Sequence, residues 1–349
     1  MNAIPVGILG ATGMVGQRML QLLEGHPWFQ VAFLAASQRS AGRPYAEAAP
    51  WRFDGECPEQ LAGRIVQSCD PALIPAGVSI ILSALDGSVA GPIEEAFRAA
   101  GFLVVTNASA WRMDPLVPLV IPEVNPEHTA LLRRQPGAGR GRKGGILANP
   151  NCCAIPLALA LAPLHRTYGV EALTVATWQA VSGAGYPGES AWDMIGTVHP
   201  HAGKEEEKLA IEPLKILGTP EEPADFPISA RCVRVPVADG HLLGVHARLT
   251  GSPSAAEVSQ VMAQWDGGVG VNLPSCPTPP LRVTTRRDRP SPRFDIHAGG
   301  GMAVTIGRVE DCPVMGVKFY ALGHNTIRGA AGAAIANAEL LCQQGFLDS

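Results

Sequence analysis

A short segment of the sequence places two adjacent thiols where a helix is expected to begin, in the run ANPNCCAIP at 148–156. A thiol at a helix N-terminus lies near the positive end of the helix dipole and near oriented N–H groups, which favour the thiolate. A thiolate beside a nicotinamide ring could oxidise an aldehyde through a thiohemiacetal and a thioester. The same pattern also fits two small buried residues without chemistry, and the segment alone supports both interpretations equally.

A glycine-rich turn near the N-terminus is typical of phosphate binding. The apolar run IPVGIL at 4–9 predicts a buried strand, and GATGMVG at 10–16 follows it directly. The three glycines would permit a tight turn, close approach of the backbone to a pyrophosphate, and packing of the next helix on the strand. Their spacing is one residue wider than the dinucleotide fingerprint G-x-G-x-x-G, so a turn without a ligand stays open.

The end of the second predicted strand favours NADP over NAD. NAD enzymes place an acidic residue there to bind the ribose 2′-hydroxyl. This chain has SQRSAGR at 37–43 instead, with two arginines, two serines and no acid. Arginine and serine complement a 2′-phosphate, although a polar surface turn has the same composition.

Later segments carry further groups that could act on a charged substrate. RVPVADGH at 234–241 holds a permanent cation, Arg234, and a group that exchanges protons near neutral pH, His241. The strand-like run TWQAVSGAG enters a glycine-rich turn that could expose the amide of Gln179. By periodicity alone, Arg234 fits a surface charge and His241 a hydrogen-bonded histidine better than they fit catalytic roles. The run GKEEEK likewise fits a solvated helix face.

The elements around these residues predict an α/β protein of two domains. Strands alternate with helices, such as one at 92–100, over residues 1–150, which predicts a Rossmann-type, doubly wound parallel sheet. Residues 151–322 predict an α+β catalytic and dimerisation domain with a mixed sheet. The small-residue helix of 323–349 is expected to pack back on the first domain. Strands of the second domain are expected at 171–177, 231–237, 243–249, 280–284 and 303–309.

Composition excludes several classes of protein. The 349 residues are 46% hydrophobic with a net charge of −4, which argues against disorder and against bulk attraction to nucleic acid or anionic membranes. No apolar run reaches the roughly 18 residues of a membrane helix, and no signal peptide is recognised. Eight cysteines without zinc-type spacing predict reduced thiols and no metal. We expect a soluble, cytoplasmic protein in which the basic run at 133–145 is a surface loop.

In their order along the chain, these motifs resemble the aspartate-β-semialdehyde dehydrogenase family, most closely its archaeal and fungal branch. The match runs nearly from end to end. The motifs that carry it are GATGMVGQ at 10–17, RMDPLVPLVIPEVN at 112–125, NPNC at 149–152, QAVSGAG at 179–185, GKEEEK at 203–208, RVPVADGH at 234–241 and HNTIRGAAGAA at 324–334. The resemblance implies NADPH-dependent reductive dephosphorylation of L-aspartyl-β-phosphate to L-aspartate-β-semialdehyde, in the biosynthesis of lysine, threonine and methionine.

The resemblance also implies roles for single residues. Cys152 would be the nucleophile, His241 the general base, and Gln179 the group that orients the thiol-bound intermediate. Arg234 would hold the substrate α-carboxylate, and Glu205 would face its ammonium group. An amino acid with both charges at its α-carbon needs such a fixed cation and fixed anion. The residues expected to bind phosphate are Lys208, Arg112 and Asn151.

The expected cofactor is NADP, and no metal is expected. The residues expected to contact NADP are Gly10, Thr12, Gly13, Met14, Val15, Ser37, Arg39, Ser40, Ser83, Ser182, Gly183 and Asn325. The other expected partners are the small-molecule substrate, phosphate, and further copies of the chain in a homodimer or homotetramer.

Three residues depart from the family pattern, and other functions remain as alternatives to the predicted one. Trp178, Cys153 and Leu242 replace an expected tyrosine, small hydroxyl residue and threonine. A malonyl-CoA reductase of the same fold would use the same thiol, but it would not need Glu205 to meet an ammonium group. A non-catalytic NADP-binding paralogue would be expected to lose the nucleophile, the base or the carboxylate-binding arginine, and this chain has all three. Reduction of N-acetyl-γ-glutamyl phosphate is a more distant relative of the predicted reaction.

Overall fold

The computed structural model describes residues 3–136, 144–268 and 272–347. They form two compact units. The first unit contains the described residues of 3–120, 127–149 and 334–347, and the second contains those of 121–126 and 150–333. The centre of the basic run that we expect to be a surface loop, residues 137–143, lies outside the described residues.

A six-stranded parallel sheet forms the centre of the first unit, with the strand order β3-β2-β1-β4-β5-β6. Its strands are β1 (Ile4–Leu9), β2 (Phe29–Ala36), β3 (Gln67–Ser68), β4 (Ile80–Ser83), β5 (Leu103–Thr106) and β6 (Gly145–Ala148). The strand order reverses between β1 and β4, and such a switch point is where open α/β sheets bind their ligands. The predicted Rossmann-type sheet is confirmed.

Helices connect these strands. They are α1 (Met14–Leu22), α2 (Tyr45–Ala48), α3 (Glu59–Ala62) and α4 (Gly87–Ala99). α4 begins earlier than the predicted helix at 92–100, because the Asp86 carboxylate caps it by accepting the N–H of Ser88 at 2.9 Å.

A second six-stranded sheet, mixed in direction, forms the centre of the second unit in the order β10-β11-β12-β9-β7-β8. Its strands are β7 (Val170–Gln179), β8 (Ile228–Arg234), β9 (His241–Leu249), β10 (Leu281–Thr284), β11 (Val304–Cys312) and β12 (Gly316–Gly323). β7 runs parallel to β8 and antiparallel to β9. The predicted mixed sheet is confirmed, and β12 is an additional strand that the sequence analysis missed.

Three helices cover one face of the second sheet: α5 (Ala154–Thr167), α7 (Glu205–Leu217) and α8 (Ala255–Gln264). The unit also contains the short helices α6 (Ala191–Met194) and α9 (Pro292–Asp295). α5 is buried from its start through Leu164 and packs against α7, α8 and β12. Burial alternates along β9, so the opposite face of the sheet is open, with a depression of about 380 Å³ beside Trp178, Gly244 and Tyr320.

The chain leaves the second unit through one turn of π-helix, Ile327–Ala331, followed by α10 (Gly332–Gln343). Residues 323–333 belong to the second unit, and so do residues 121–126, whereas the sequence analysis grouped both segments with the first domain. An ion pair between Glu123 and Arg328 joins the two segments. Among the described residues, no helix is both long enough and apolar enough to cross a membrane.

Candidate active site

Cys152 and Cys153 form the turn that leads into α5. Asn151 caps this helix, because its side-chain oxygen accepts the N–H groups of Cys153 and Ala154 at 2.8 and 3.3 Å. Cys152 is half-buried, and Cys153 is buried. The Cys152 thiol therefore lies near the positive end of the α5 dipole, where a thiolate is stabilised.

His241, the first residue of β9, lies beside both thiols. The two sulfur atoms and one ring nitrogen lie within 4.8 Å of one another. Nδ1 of His241 accepts the backbone N–H of Ala180 at 3.1 Å. Because Nδ1 is an acceptor, the neutral ring carries its proton on Nε2, which is buried. The neutral His241 ring thus offers a donor.

The neighbours of Cys152 favour its ionised form. The Cys153 thiol donates a hydrogen bond that, against the effect of burial and together with the charge of His241, holds the pKa of Cys152 well below its usual value. Burial, and then the neighbouring Cys152 sulfur, raise the pKa of Cys153. Of the two adjacent thiols, Cys152 is therefore the one that ionises more readily.

We expect alkylation of Cys152 by iodoacetamide to follow this ionisation. Because the pKa of Cys152 is lowered, the alkylation rate should reach half its maximum at a pH below ~8.5, the pKa of an ordinary thiol. Above that midpoint the rate should stay at its plateau. Cys153→Ala removes the hydrogen bond and should move the midpoint to higher pH, whereas Cys153→Ser keeps a donor and should move it less. Mass spectrometry of the Cys152 peptide measures the rates. An identical midpoint in Cys153→Ala would contradict the assigned cause.

The two thiols and His241 are also residue types that bind zinc. A histidine that binds a metal through one nitrogen normally donates the proton of the other nitrogen to an acceptor. Here that other nitrogen faces a donor, the N–H of Ala180. The arrangement suits a reactive thiol and an imidazole better than a metal ion.

Gln179 and Arg234 meet because their strands end side by side. They are the last residues of β7 and β8 and are register partners in that parallel pair. Nη1 of Arg234 donates to the Gln179 side-chain oxygen and to the Ala180 carbonyl, both at 3.1 Å. Arg234 is 5% exposed, and its Nε has no partner among the described groups. A buried cation with an unused donor is suited to an anionic ligand.

The helix α7 presents three charged residues, Glu205, Lys208 and Glu212, on one face. The Glu205 carboxylate accepts the Lys208 ammonium at 2.7 Å and the Asn151 amide at 2.9 Å. Burial would raise the pKa of Glu205, but the charge of Lys208 and the hydrogen bonds from Lys208 and Asn151 outweigh it and lower that pKa. Glu212 accepts the N–H of Asn151 at 2.6 Å. Glu212 is not among the residues predicted from the sequence, although its helical spacing from Glu205 indicates the shared face.

Asn151 is expected to bind phosphate, but in this structure its hydrogen bonds hold parts of the site together. Its amide donates to Glu205, and its carbonyl oxygen caps α5. In this conformation the side chain connects the turn of Cys152 to α7, and phosphate binding by its amide stays a prediction.

A chain of polar groups joins the turn after β7 to the loop that precedes His241. The Ser182 hydroxyl donates to Asp239 at 2.7 Å and accepts the Asn325 amide at 2.8 Å. The Asn325 oxygen accepts the N–H of Gly240 at 2.8 Å. In this structure Ser182 and Asn325 therefore position the residue before His241, and contact with the cofactor stays a prediction for both.

Gly183, in the turn after β7, lies against two functional side chains, those of Arg234 and His241. A Cβ at this position would lie 2.8 Å from Nη1 of Arg234 and 3.0 Å from the His241 ring. A side chain at this position would push the Arg234 guanidinium, so the glycine leaves room for this cation whether or not the residue also contacts the cofactor.

In the first unit, the glycine turn has the backbone that phosphate binding requires. Gly10 has φ +73°, and a Cβ there would lie 2.5 Å from the Ala84 carbonyl oxygen. A Cβ on Gly16 would overlap the Gly10 carbonyl oxygen. Gly13 is exposed, and the first N–H groups of α1 have no side-chain cap, so the turn fits a pyrophosphate. The neighbouring residues expected to contact the cofactor are half-buried: Thr12, Met14 and Val15.

Two side chains that the sequence analysis missed brace this turn. The Tyr45 hydroxyl donates to the Ala11 carbonyl at 2.9 Å, and the Gln17 amide donates to the Thr12 carbonyl at 3.1 Å. Burial raises the pKa of Tyr45, which keeps its hydroxyl a donor. No local pattern marks Tyr45, because it lies far along the chain from the turn.

The residues expected at the 2′-phosphate follow β2 directly. Ser37 and Arg39 are exposed, and Ser40 is buried. The two exposed side chains are therefore accessible to a ligand at the carboxyl end of β2.

Ser83 and Arg112 are committed to the first unit in this structure. Ser83 is fully buried and donates its hydroxyl to Glu94 at 2.6 Å, so its side chain joins β4 to α4 rather than facing a ligand. Arg112 is buried and donates to the Asn107 carbonyl at 2.7 Å. Their expected roles in binding cofactor and phosphate stay predictions.

Together these observations define a class of protein. A parallel-sheet unit with a glycine turn suited to pyrophosphate, and a second unit with a cysteine–histidine pair beside fixed charges, are features of a two-domain α/β dehydrogenase.

The chain belongs to the semialdehyde dehydrogenase family. The model of the family's NAD binding domain matches residues 5–132, and the model of its dimerisation domain matches residues 161–328. The aspartate-semialdehyde dehydrogenase of Methanothermobacter thermautotrophicus is 45% identical over 97% of this chain and 99% of the relative. That of Archaeoglobus fulgidus is 44% identical over 98% and 99%.

A solved structure shows the same similarity. The aspartate semialdehyde dehydrogenase with NADP from Candida albicans superposes with a TM-score of 0.91 at 37% identity, over 99% of this chain and 100% of that chain. The family predicted from the ordered motifs is confirmed, including its similarity to archaeal and fungal members.

Proposed function

We propose that the chain catalyses NADPH-dependent reductive dephosphorylation of L-aspartyl-β-phosphate to L-aspartate-β-semialdehyde, for the biosynthesis of lysine, threonine and methionine. The observation that carries this proposal is the set of fixed charges beside the Cys152–His241 pair. Arg234 offers a buried cation to the α-carboxylate, and Glu205 offers a carboxylate with a lowered pKa to the α-ammonium group. The names of the relatives support the same substrate.

The reaction begins at Cys152. Its thiolate attacks the acyl carbon, the C–S bond forms, and the C–O bond to phosphate breaks, which leaves a thioester. Gln179, which Arg234 holds from the neighbouring strand, orients the thiol-bound carbonyl. The ammonium group of Lys208 stabilises the leaving phosphate, and Arg112 is proposed for the same anion.

His241 acts through the proton on Nε2. After reduction of the thioester, the tetrahedral oxyanion accepts a hydrogen bond from this nitrogen. Collapse of the oxyanion re-forms the C=O bond, breaks the C–S bond and returns the thiolate. The N–H of Ala180, which holds Nδ1 as an acceptor, keeps the donor on the side away from Ala180. This assignment makes His241 a donor in the reductive direction, and its expected role as a general base applies to the reverse direction.

The cofactor proposed for this chemistry is NADP. The exposed Gly13 beside the uncapped start of α1 fits a pyrophosphate, and the exposed Ser37 and Arg39 fit a 2′-phosphate. When bound, NADPH supplies the hydride that reduces the thioester. The relative from Candida albicans was solved with NADP, which supports this choice.

Glu205→Gln tests the substrate class against a malonyl-CoA reductase. The variant should lower kcat/KM for aspartate semialdehyde by about 10–150-fold, because one charge-assisted hydrogen bond is worth roughly 1.5–3 kcal/mol. The exposed Glu207→Gln, on the same helix, is the matched control and should change little. If wild-type protein reduces malonyl-CoA and Glu205→Gln leaves that rate intact, the chain is an acyl-CoA reductase instead.

We further propose that the chain works in the cytoplasm as a homodimer or homotetramer. The open face of the second sheet, with Trp178 and Tyr320, is the surface we assign to the dimer contact. The match of the dimerisation-domain model to residues 161–328 supports this assignment. The eight cysteines are free thiols, which agrees with a reducing compartment.

A further inference from the structure

A fully buried ion pair lies in the second unit without a role in the chemistry above. Arg328 and Glu123 form two parallel hydrogen bonds of 2.7 Å each. Their side chains are 0% and 2% exposed. Removing two charges from water is costly, and well-packed apolar side chains often stabilise a fold as well or better. The pair therefore calls for an explanation other than stability.

Arg328 belongs to the π-helical turn Ile327–Ala331. The N–H of Gly329 donates to the His324 carbonyl at 2.9 Å, and that of Ala331 donates to Thr326 at 3.1 Å. Single π-turns are rare and frequently occur at functional sites. The bidentate geometry of the pair fixes the orientation of the turn, because Nη1 and Nη2 of Arg328 both donate to the one carboxylate of Glu123.

The next residue of this turn, Gly329, lies directly against Cys152. A Cβ on Gly329 would lie 2.7 Å from Cβ and 2.9 Å from Cα of Cys152. The backbone of the π-turn thus packs directly against the backbone of Cys152. A shift of the turn would therefore move the thiol.

The same segment also reaches the partner of Cys152. Asn325, three residues before Arg328, accepts the N–H of Gly240, the residue that precedes His241. Residues 324–331 therefore contact the Cys152 backbone and the backbone of Gly240, the neighbour of His241.

We propose that Glu123 and Arg328 are positioning residues that hold this segment so that Cys152 and His241 keep their mutual geometry. The inference rests on the proposed function, which makes Cys152 the nucleophile. Neither residue touches the reacting atoms, and both act through the π-turn. The carboxylate of Glu123 connects the segment 121–126 to the π-turn within the second unit.

Two substitutions of the pair separate positioning from stability. Glu123→Gln keeps the shape of the side chain but removes its charge, and the double variant Glu123→Leu, Arg328→Met replaces the pair with apolar groups. In both, we expect kcat to fall roughly 10–100-fold, as small misplacements of reacting groups do, with KM for aspartate semialdehyde little changed. The midpoint of Cys152 alkylation against pH should shift as well. Thermal unfolding reports stability separately.

Gly329→Ala tests the same contact from the other side. Its Cβ should push Cys152 and reduce the alkylation rate at Cys152 by a similar factor. Gly307→Ala in β11 is the matched control, because its Cβ would meet the Arg289 carbonyl oxygen at 2.6 Å, far along the chain from Cys152. It should lower thermal stability without changing the alkylation profile.

The proposal is overturned if folded Glu123→Gln and Gly329→Ala show the wild-type kcat and alkylation profile, or if Gly307→Ala changes the profile as Gly329→Ala does. Alkylation needs neither substrate nor cofactor. If wild-type protein does not turn over aspartate semialdehyde, the proposed function fails, while the alkylation profiles still decide whether the pair positions Cys152.

Discussion

Cys152→Ser is expected to lose turnover by a factor on the order of 10⁴–10⁶, the scale on which removal of an activated nucleophile acts in other enzymes. Serine lacks a thiolate at neutral pH, and the surroundings that lower the pKa of Cys152 do not ionise a hydroxyl. NADP binding and thermal stability should stay near the wild-type values, because the turn before α5 is held by Asn151.

The adjacent thiol is the control for this substitution. Cys153→Ser leaves the nucleophile in place and should keep most of the turnover. If Cys152→Ser retained most of the wild-type rate, the thioester would not be an intermediate.

Arg234→Ala is expected to lower kcat/KM for aspartate semialdehyde by about 10²–10⁴-fold. The guanidinium would make two hydrogen bonds to the α-carboxylate, each worth roughly 1.5–3 kcal/mol. Arg234→Lys keeps the charge but not the planar fork, and should fall between Arg234→Ala and the wild type. If binding is equal in the ground and transition states, the loss appears in KM.

Steady-state kinetics of both variants measures this effect. Arg133→Ala is the control, because Arg133 is an exposed cation of the first unit. Equal kcat/KM for Arg234→Ala and Arg133→Ala would remove Arg234 from the substrate site.

Much of the fold follows from local sequence pattern. The glycine turn after β1 and the thiols before α5 are positions where strand, turn and helix signals succeed one another without a gap. β12 also carries a clear signal, because Val317, Phe319 and Ala321 are buried and alternate with Lys318 and Tyr320. A stricter count of period two would find it.

The site depended on information that local pattern does not hold. Gln179 and Arg234 meet because β7 and β8 are parallel and in register, and no local spacing predicts that pairing. The resemblance to the family predicts that both residues belong to one site, because the family motifs mark residues that the fold places close together.

The hydrogen-bond partners of the side chains were the least predictable part of the site. Ser83, Asn151 and Asn325 have the right types to contact ligands, yet each is bonded to a partner within its own unit. Those partners lie on other elements, so only the packed structure shows that the side chains support neighbouring groups.

The reverse reaction tests the central claim most directly. Purified protein receives aspartate semialdehyde, inorganic phosphate and NADP, with a sample without phosphate and a Cys152→Ala variant alongside, and NADPH absorbance is followed. We predict NADPH formation that requires phosphate and is lost in the variant. No NADPH from the semialdehyde, together with oxidation of NADPH by malonyl-CoA, would contradict the proposed function.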